Sequence, residues 1–166
     1  PDDINETISG LTIEGCQVGI SRGVFYTGNG DIGIYFRHVI NSTIGGICDD
    51  VSCSGKGNVV SANGGAGITL VASVGVHVVG NRIGTNTFGT ATFVPFGGST
   101  PNGSYGIVTA LGGRNTIGST HEAGGNLISG NSSGGIRLAS DQNFVLGNRI
   151  GTNRQGTAAL PNQGPG

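Results

Sequence analysis

Short apolar runs, each bounded by Gly or Asn, follow one another along the chain. They include residues 32–36, 68–71, 76–79 and 144–146, with a shorter pair at 59–60. Runs of this length between turn-forming residues are typical of β-strands, and no stretch sustains the 3.6-residue period of an amphipathic helix. The pattern predicts an all-β chain with many tight turns.

Longer phrases recur at an interval of about 67 residues. Residues 80–86 read GNRIGTN and return unchanged at 147–153, and residues 57–63 (GNVVSAN) correspond to 125–131 (GNLISGN). Repetition of strand-like units at a fixed interval is the signature of an architecture in which successive coils stack on one another. We therefore predict a β-solenoid.

Four asparagines, Asn63, Asn81, Asn131 and Asn148, close short apolar runs inside the repeats. Asn tolerates the left-handed corner conformation, and stacked amides can hydrogen-bond from coil to coil. We expect these four to be structural corners, alongside the 35 glycines of the 166-residue chain. At roughly 18 to 24 residues per coil the chain would give about seven to eight coils, stacked at a strand spacing of about 4.8 Å.

The repeat phrases carry a family resemblance. Residues 115–119 (NTIGS), 125–131, 147–153 and 156–160 (GTAAL) resemble the repeats of the right-handed parallel β-helix repeat family of bacterial surface and secreted proteins. The resemblance implies a right-handed parallel β-helix in an elongated, extracellular protein, and it implies no agreed enzymatic activity. We divide the single solenoid domain, residues 1–166, into irregular first coils at 1–31 and two copies of the long repeat at 32–105 and 106–166.

The charge and the cysteines limit the partners and the compartment that the sequence predicts. The net charge is −1 with no basic stripe, and no apolar run is long enough to span a bilayer, so we expect neither a nucleic-acid partner nor membrane insertion. Cys48 and Cys53 are close enough in sequence for a small loop disulfide, which suggests an oxidising compartment. Cys16 would then be a buried small hydrophobe. Between the paired cysteines, Asp49 and Asp50 are expected to lie in a solvated loop.

Residues 88–105 are longer than the matching segment of the second repeat and carry Phe88, Phe93, Phe96 and Tyr105. We expect a protruding loop, either packed on itself over one flank or serving as a contact surface for a neighbouring subunit or ligand.

Three basic side chains fall on predicted strands. His77 is expected to point outward from a Val-rich strand rather than to act in catalysis. Arg82 and Arg149 occupy equivalent repeat positions and are expected to form an outward row.

The sequence favours a structural role over an enzymatic one. We expect an extracellular or cell-surface solenoid that forms or belongs to a fibre, sheath or adhesin, by self-association or as part of a longer solenoid. We expect no catalytic residue, metal or cofactor. The alternative is a β-helix protein that binds or degrades a polysaccharide, which would need several Asp, Glu, Lys, Arg or His side chains converging on one exposed face.

Overall fold

The computed structural model describes residues 6–20, 28–47, 56–93 and 98–164. Within these ranges the chain is all-β, as predicted, with sixteen strands of two to four residues and one 3₁₀ turn at Glu122–Gly124. The strands are β1 (Ile8–Ser9), β2 (Thr12–Ile13), β3 (Gln17–Val18), β4 (Ile34–Arg37), β5 (Val39–Ile40), β6 (Thr43–Gly45), β7 (Val59–Val60), β8 (Ile68–Val71), β9 (His77–Val79), β10 (Arg82–Ile83), β11 (Ile107–Ala110), β12 (Thr116–Gly118), β13 (Leu127–Ile128), β14 (Ile136–Ala139), β15 (Phe144–Leu146) and β16 (Arg149–Ile150).

The strands form three stacked sheets and one short pair, and every strand pair is parallel. Sheet I has the order β2-β6-β9-β12-β15, sheet II the order β3-β7-β10-β13-β16 and sheet III the order β4-β8-β11-β14. The remaining pair is β1 with β5. Within each sheet the strands are stacked in the order in which they occur along the chain. The chain therefore passes through sheets III, I and II in a fixed cycle.

We call each passage through the cycle a layer. Layers 2 to 5 add one strand to every sheet, whereas layer 1 adds strands to sheets I and II only, because β1 pairs with β5. Layer 1 is β1–β3, layer 2 is β4–β7, layer 3 is β8–β10, layer 4 is β11–β13 and layer 5 is β14–β16. The five layers of the described ranges do not confirm the expected seven to eight coils. The strands of sheet II start at residues 17, 59, 82, 127 and 149, so long and short intervals alternate and two of the four exceed 24 residues.

The core consists of aliphatic rows that run across the layers. In sheet II the row is Val18, Val60, Ile83, Ile128 and Ile150, joined residue to residue by the strand register. Sheets I and III contribute similar rows, and the members in layers 2 to 4 are buried. Burial of each such side chain contributes about 2 kcal/mol relative to exposure, so the aliphatic rows supply the main force that holds the layers together.

Glycine is required where sheet I turns toward sheet II. Gly45 and Gly118 end β6 and β12 with φ of 93° and 92°. A Cβ at these positions would collide with the carbonyl oxygens of Val79 and Leu146 in the next layer. These glycines therefore allow both the left-handed turn and the close stacking of the layers.

Candidate functional site

A row of four asparagines crosses the layers just before sheet II. In this first Asn row, the Nδ2 of each residue donates to the Oδ1 of the next, at 3.0, 3.0 and 2.9 Å. The same Nδ2 also donates to a backbone carbonyl of the preceding layer, as from Asn81 to Ile44 O at 2.9 Å. Each of the first three amides thereby ties three layers together. The members are Asn58, Asn81, Asn126 and Asn148.

A second Asn row follows sheet II at the opposite corner. Its consecutive Nδ2-to-Oδ1 distances are 3.0, 2.9, 2.8 and 2.9 Å. The three central members are buried, so their amide hydrogen bonds are shielded from water and their loss would leave unsatisfied polar groups. The members are Asn29, Asn63, Asn102, Asn131 and Asn162.

The four asparagines singled out from the sequence divide between these rows. Asn81 and Asn148 belong to the first row, and Asn63 and Asn131 belong to the second. The sequence pattern alone does not separate the two rows, and the other members of the rows were not predicted. The signal for the first row was a Gly-Asn pair with an aliphatic residue two positions after the asparagine, since this pattern occurs at Asn58, Asn81, Asn126 and Asn148.

Two similar turns lie over the outer face of sheet II, at residues 86–91 and 153–158. In the first, Asn86 Oδ1 accepts from the backbone N–H of Thr90 at 3.0 Å, and in the second Asn153 Oδ1 accepts from Thr157 at 2.9 Å. The turns touch, because the N–H of Arg154 donates to Gly89 O at 2.8 Å. They belong to layers 3 and 5 and therefore meet across layer 4.

The first of these turns covers an apolar residue that points outward. Leu127 of layer 4 lies between Arg82 and Arg149 in the register of sheet II, yet it is only 5% exposed. A Cβ on Gly89 would lie 2.7 Å from Leu127 Cδ2. The 67-residue repeat therefore corresponds to two layers: one bears an outward aliphatic residue, and the next bears an outward arginine and a turn.

Arginines surround this covered position. Arg82 and Arg149 share the outward register row, as the sequence suggested, with Leu127 between them. Burial, and secondarily the positive charge of Arg154, lowers the pKa of the Arg82 guanidinium below its usual value. The outer face of sheet II thus concentrates positive charge in a protein of nearly neutral net charge.

The aromatic loop connects β10 with β11. Phe88 is 72% exposed and Phe93 is 64% exposed, and Phe93 forms an antiparallel bridge with Ser99. Tyr105 is half-buried, and the guanidinium of Arg137 lies 5.9 Å from its ring centroid. Phe96 lies outside the described residues. The structure brings Tyr105 to a cation–π contact and leaves the two described phenylalanines at the surface.

Layer 5 exposes side chains that are buried in the layers before it. Leu138 and Val145 are 46% and 41% exposed, although the strand register aligns them with the buried Thr109 and Ile117 of layer 4. Nothing in the described ranges packs on this face of the stack. We call this exposed face of layer 5 the end face.

No family model, curated protein or solved structure matches the chain. Function is therefore inferred from the residues of this chain alone. Within the described ranges there is no group of three or more His, Cys, Asp or Glu residues that could hold a metal ion. No helix in those ranges is long and apolar enough to cross a membrane.

The expectation that Cys16 is buried is wrong. Cys16 is exposed, and its backbone N–H donates to Asn58 Oδ1 at 2.9 Å. It therefore takes the layer 1 position of the first Asn row, where no described layer covers the side chain. The predicted disulfide partners Cys48 and Cys53 lie outside the described residues, as do Asp49 and Asp50. His77 is exposed on β9, in agreement with the outward orientation expected for it.

Proposed function

We propose that the chain is a structural segment of a right-handed parallel β-solenoid, with the five layers as its coils. The fixed order of sheets, the parallel register and the continuous Asn rows support this proposal. A stack of this kind gives a rod whose length is set by the number of layers, at about 4.8 Å each. Such a rod suits a spacer or a fibre, and an extracellular or cell-surface location fits its resemblance to secreted repeat proteins.

The proposed role is to build a fibre, sheath or adhesin by association through the ends of the stack. One observation carries it: Leu138 and Val145 of the end face are 46% and 41% exposed, whereas Ile117 and Ile128 of layer 4 are fully buried. Stacking of another layer would remove this apolar surface from water and would pair the open edge of each sheet.

Sedimentation velocity and electron microscopy over a range of protein concentrations test this role. We expect rods that lengthen with concentration, and we expect Leu138→Glu to suppress them because it places a charge on the end face. Leu111→Glu is the matched control, since Leu111 is 82% exposed on a layer 4 corner away from the end face. Monomers at every concentration, or equal assembly of both variants, would contradict the proposal.

A second candidate function is binding of an acidic polysaccharide along sheet II. It is favoured by the outward positions of Arg82 and Arg149 and by Arg154 beside them. Guanidinium groups pair well with carboxylate and sulfate groups. We expect retention on an acidic polysaccharide column that falls several-fold in an Arg149→Gln, Arg154→Gln double variant. Retention equal to that of the natural chain would exclude this function.

A further inference from the structure

The backbone at the end face has hydrogen-bonding groups placed for a particular kind of layer. At three corners, an Asn Oδ1 of layer 5 accepts from a backbone N–H of layer 4: Asn143 from Asn115 at 3.1 Å, Asn148 from Asn126 at 3.0 Å and Asn162 from Asn131 at 2.9 Å. The backbone N–H groups of Asn143, Asn148 and Asn162 have no acceptor within the described ranges.

A following layer with asparagine at the same corners would supply those three acceptors. The interface between layers 3 and 4 shows the geometry for the first row, because Asn81 N donates to Asn126 Oδ1 at 2.9 Å. The second row shows the same geometry between layers 2 and 3, because the backbone N–H of Asn63 donates to Asn102 Oδ1 at 3.2 Å. The end face is thus a further copy of an interface that the chain already contains.

The turn at residues 153–158 specifies the outward residue of that layer. In layer 3, the equivalent turn lies against Leu127 of layer 4, with the Gly89 Cβ position 2.7 Å from Leu127 Cδ2. At Gly156 the nearest atom to the Cβ position is Arg149 Nε, at 3.9 Å. An aliphatic side chain from the next layer would fill this place under the second turn as Leu127 does under the first.

The other end of the same chain matches these requirements poorly. The positions of layer 1 that correspond to the three corners are Leu11, Cys16 and Asn29, and only one of them is an asparagine. Its outward residue in sheet II is Gln17, which is polar. A second copy stacked head to tail would leave two of the three N–H groups without an amide acceptor, at a cost of about 1 to 3 kcal/mol for each buried group.

We propose that the end face is a docking surface for another two-layer repeat whose first layer reads Gly-Asn-aliphatic-aliphatic-Ser, the sequence type of residues 57–61 and 125–129. This rests on the proposed structural function and names its partner. A repeat of this type, presented in parallel register, is therefore expected to bind the end face more tightly than the layer 1 end of a second copy does.

The test extends the full chain. Since Asn162 and Asn102 are equivalent corners of layers 5 and 3, a second copy of residues 105–164 is joined after Gly164, and hydrogen exchange of β14–β16 is compared with the natural chain. We expect exchange of these amides to slow by at least about tenfold, because they become interior. The matched control has Asn115→Ala, Asn126→Ala and Leu127→Asp in the added copy only, and we expect it to lose most of that protection.

Two results would overturn the proposal. One is exchange in β14–β16 that is unchanged by the intact extension. The other is protection of β14–β16 in concentrated natural protein that equals the protection given by the intact extension, which would make the layer 1 end of a second copy an equally good partner while leaving the structural function in place. Failure of the structural function is seen separately, as natural chains that remain monomeric at every concentration while the extension still protects β14–β16.

Discussion

At Asn81, four side-chain hydrogen bonds meet in a site that is 1% exposed. Its Oδ1 accepts from the backbone N–H and the Nδ2 of Asn58, and its Nδ2 donates to Ile44 O and to Asn126 Oδ1. Asn81→Ala leaves those groups buried without partners, so we expect the free energy of unfolding to fall by about 3 kcal/mol or more. Urea denaturation measures this, and a loss below about 1 kcal/mol would show that the row is not a main tie between layers.

Asn148→Ala is the matched control in the same row. Asn148 lies in layer 5 and is half-buried; its Oδ1 accepts two hydrogen bonds from Asn126, and its Nδ2 donates only one, to Ile117 O at 2.8 Å. Water can replace part of what this amide provides, so we expect a loss of about 1 kcal/mol. A loss equal to that of Asn81→Ala would mean that position in the row does not matter.

Asn81→Asp should make stability depend on pH. The new carboxylate would face Ile44 O and the Oδ1 of Asn126, both acceptors, in a buried site. These surroundings raise the folded-state pKa of the carboxyl group above its unfolded value of about 4. Stability is then highest below about pH 4 and is lost as the pH rises through the folded-state pKa. Urea midpoints between pH 4 and 7 that change as in the natural chain would contradict this.

The like charges of Arg82 and Arg154 are expected to oppose folding slightly. Arg154 contributes to the lowered pKa of Arg82, so the two guanidinium groups repel each other. We expect Arg154→Gln to raise the free energy of unfolding by about 0.3 kcal/mol at low salt, with the gain disappearing in about 1 M NaCl. Arg37→Gln, at an exposed site on sheet III, should show no such gain.

At the scale of elements, the apolar runs and their Gly and Asn boundaries were enough to predict strands and turns. They did not reveal that one 67-residue repeat spans two layers. That depends on the packing of the turn at 86–91 against Leu127 and on its contact with the turn at 153–158, which involve residues far apart in sequence. A sequence pattern shows which positions are alike. It does not show how thick a turn is relative to the strand spacing, because that thickness depends on how the folded chain packs.

The two turns provide a matched pair of glycine substitutions. Gly89 and Gly156 have φ of 69° and 73°, so alanine costs each about 1 kcal/mol in backbone strain. At Gly89 the new Cβ also lies 2.7 Å from Leu127 Cδ2, whereas at Gly156 the nearest atom is 3.9 Å away. We expect Gly89→Ala to destabilise by about 1 to 2 kcal/mol more than Gly156→Ala in urea denaturation. Equal losses would show that the first turn does not pack on layer 4.

At the scale of the whole molecule, the number of layers could not be predicted from the sequence. The estimate used the spacing of Asn63 to Asn81 and of Asn131 to Asn148, but these pairs belong to different rows within adjacent layers. The connections between layers also vary in length, as between β7 and β8 and between β10 and β11. Loop length is not fixed by the strand pattern, because loops lie outside the repeating contacts.

The stack should not open uniformly. Layer 4 has described neighbours on both faces, and its inward residues Ile107, Ile117 and Ile128 are fully buried, whereas Leu138 and Val145 of layer 5 are largely exposed. Since a repeat stack is held by nearest-neighbour contacts, layer 5 can detach at a lower free energy than global unfolding. We expect amides of β14–β16 to exchange at least about tenfold faster than those of β11–β13 in dilute native protein. Equal exchange in both layers would show that the stack opens as one unit, and the end face would then offer no separately mobile edge for assembly.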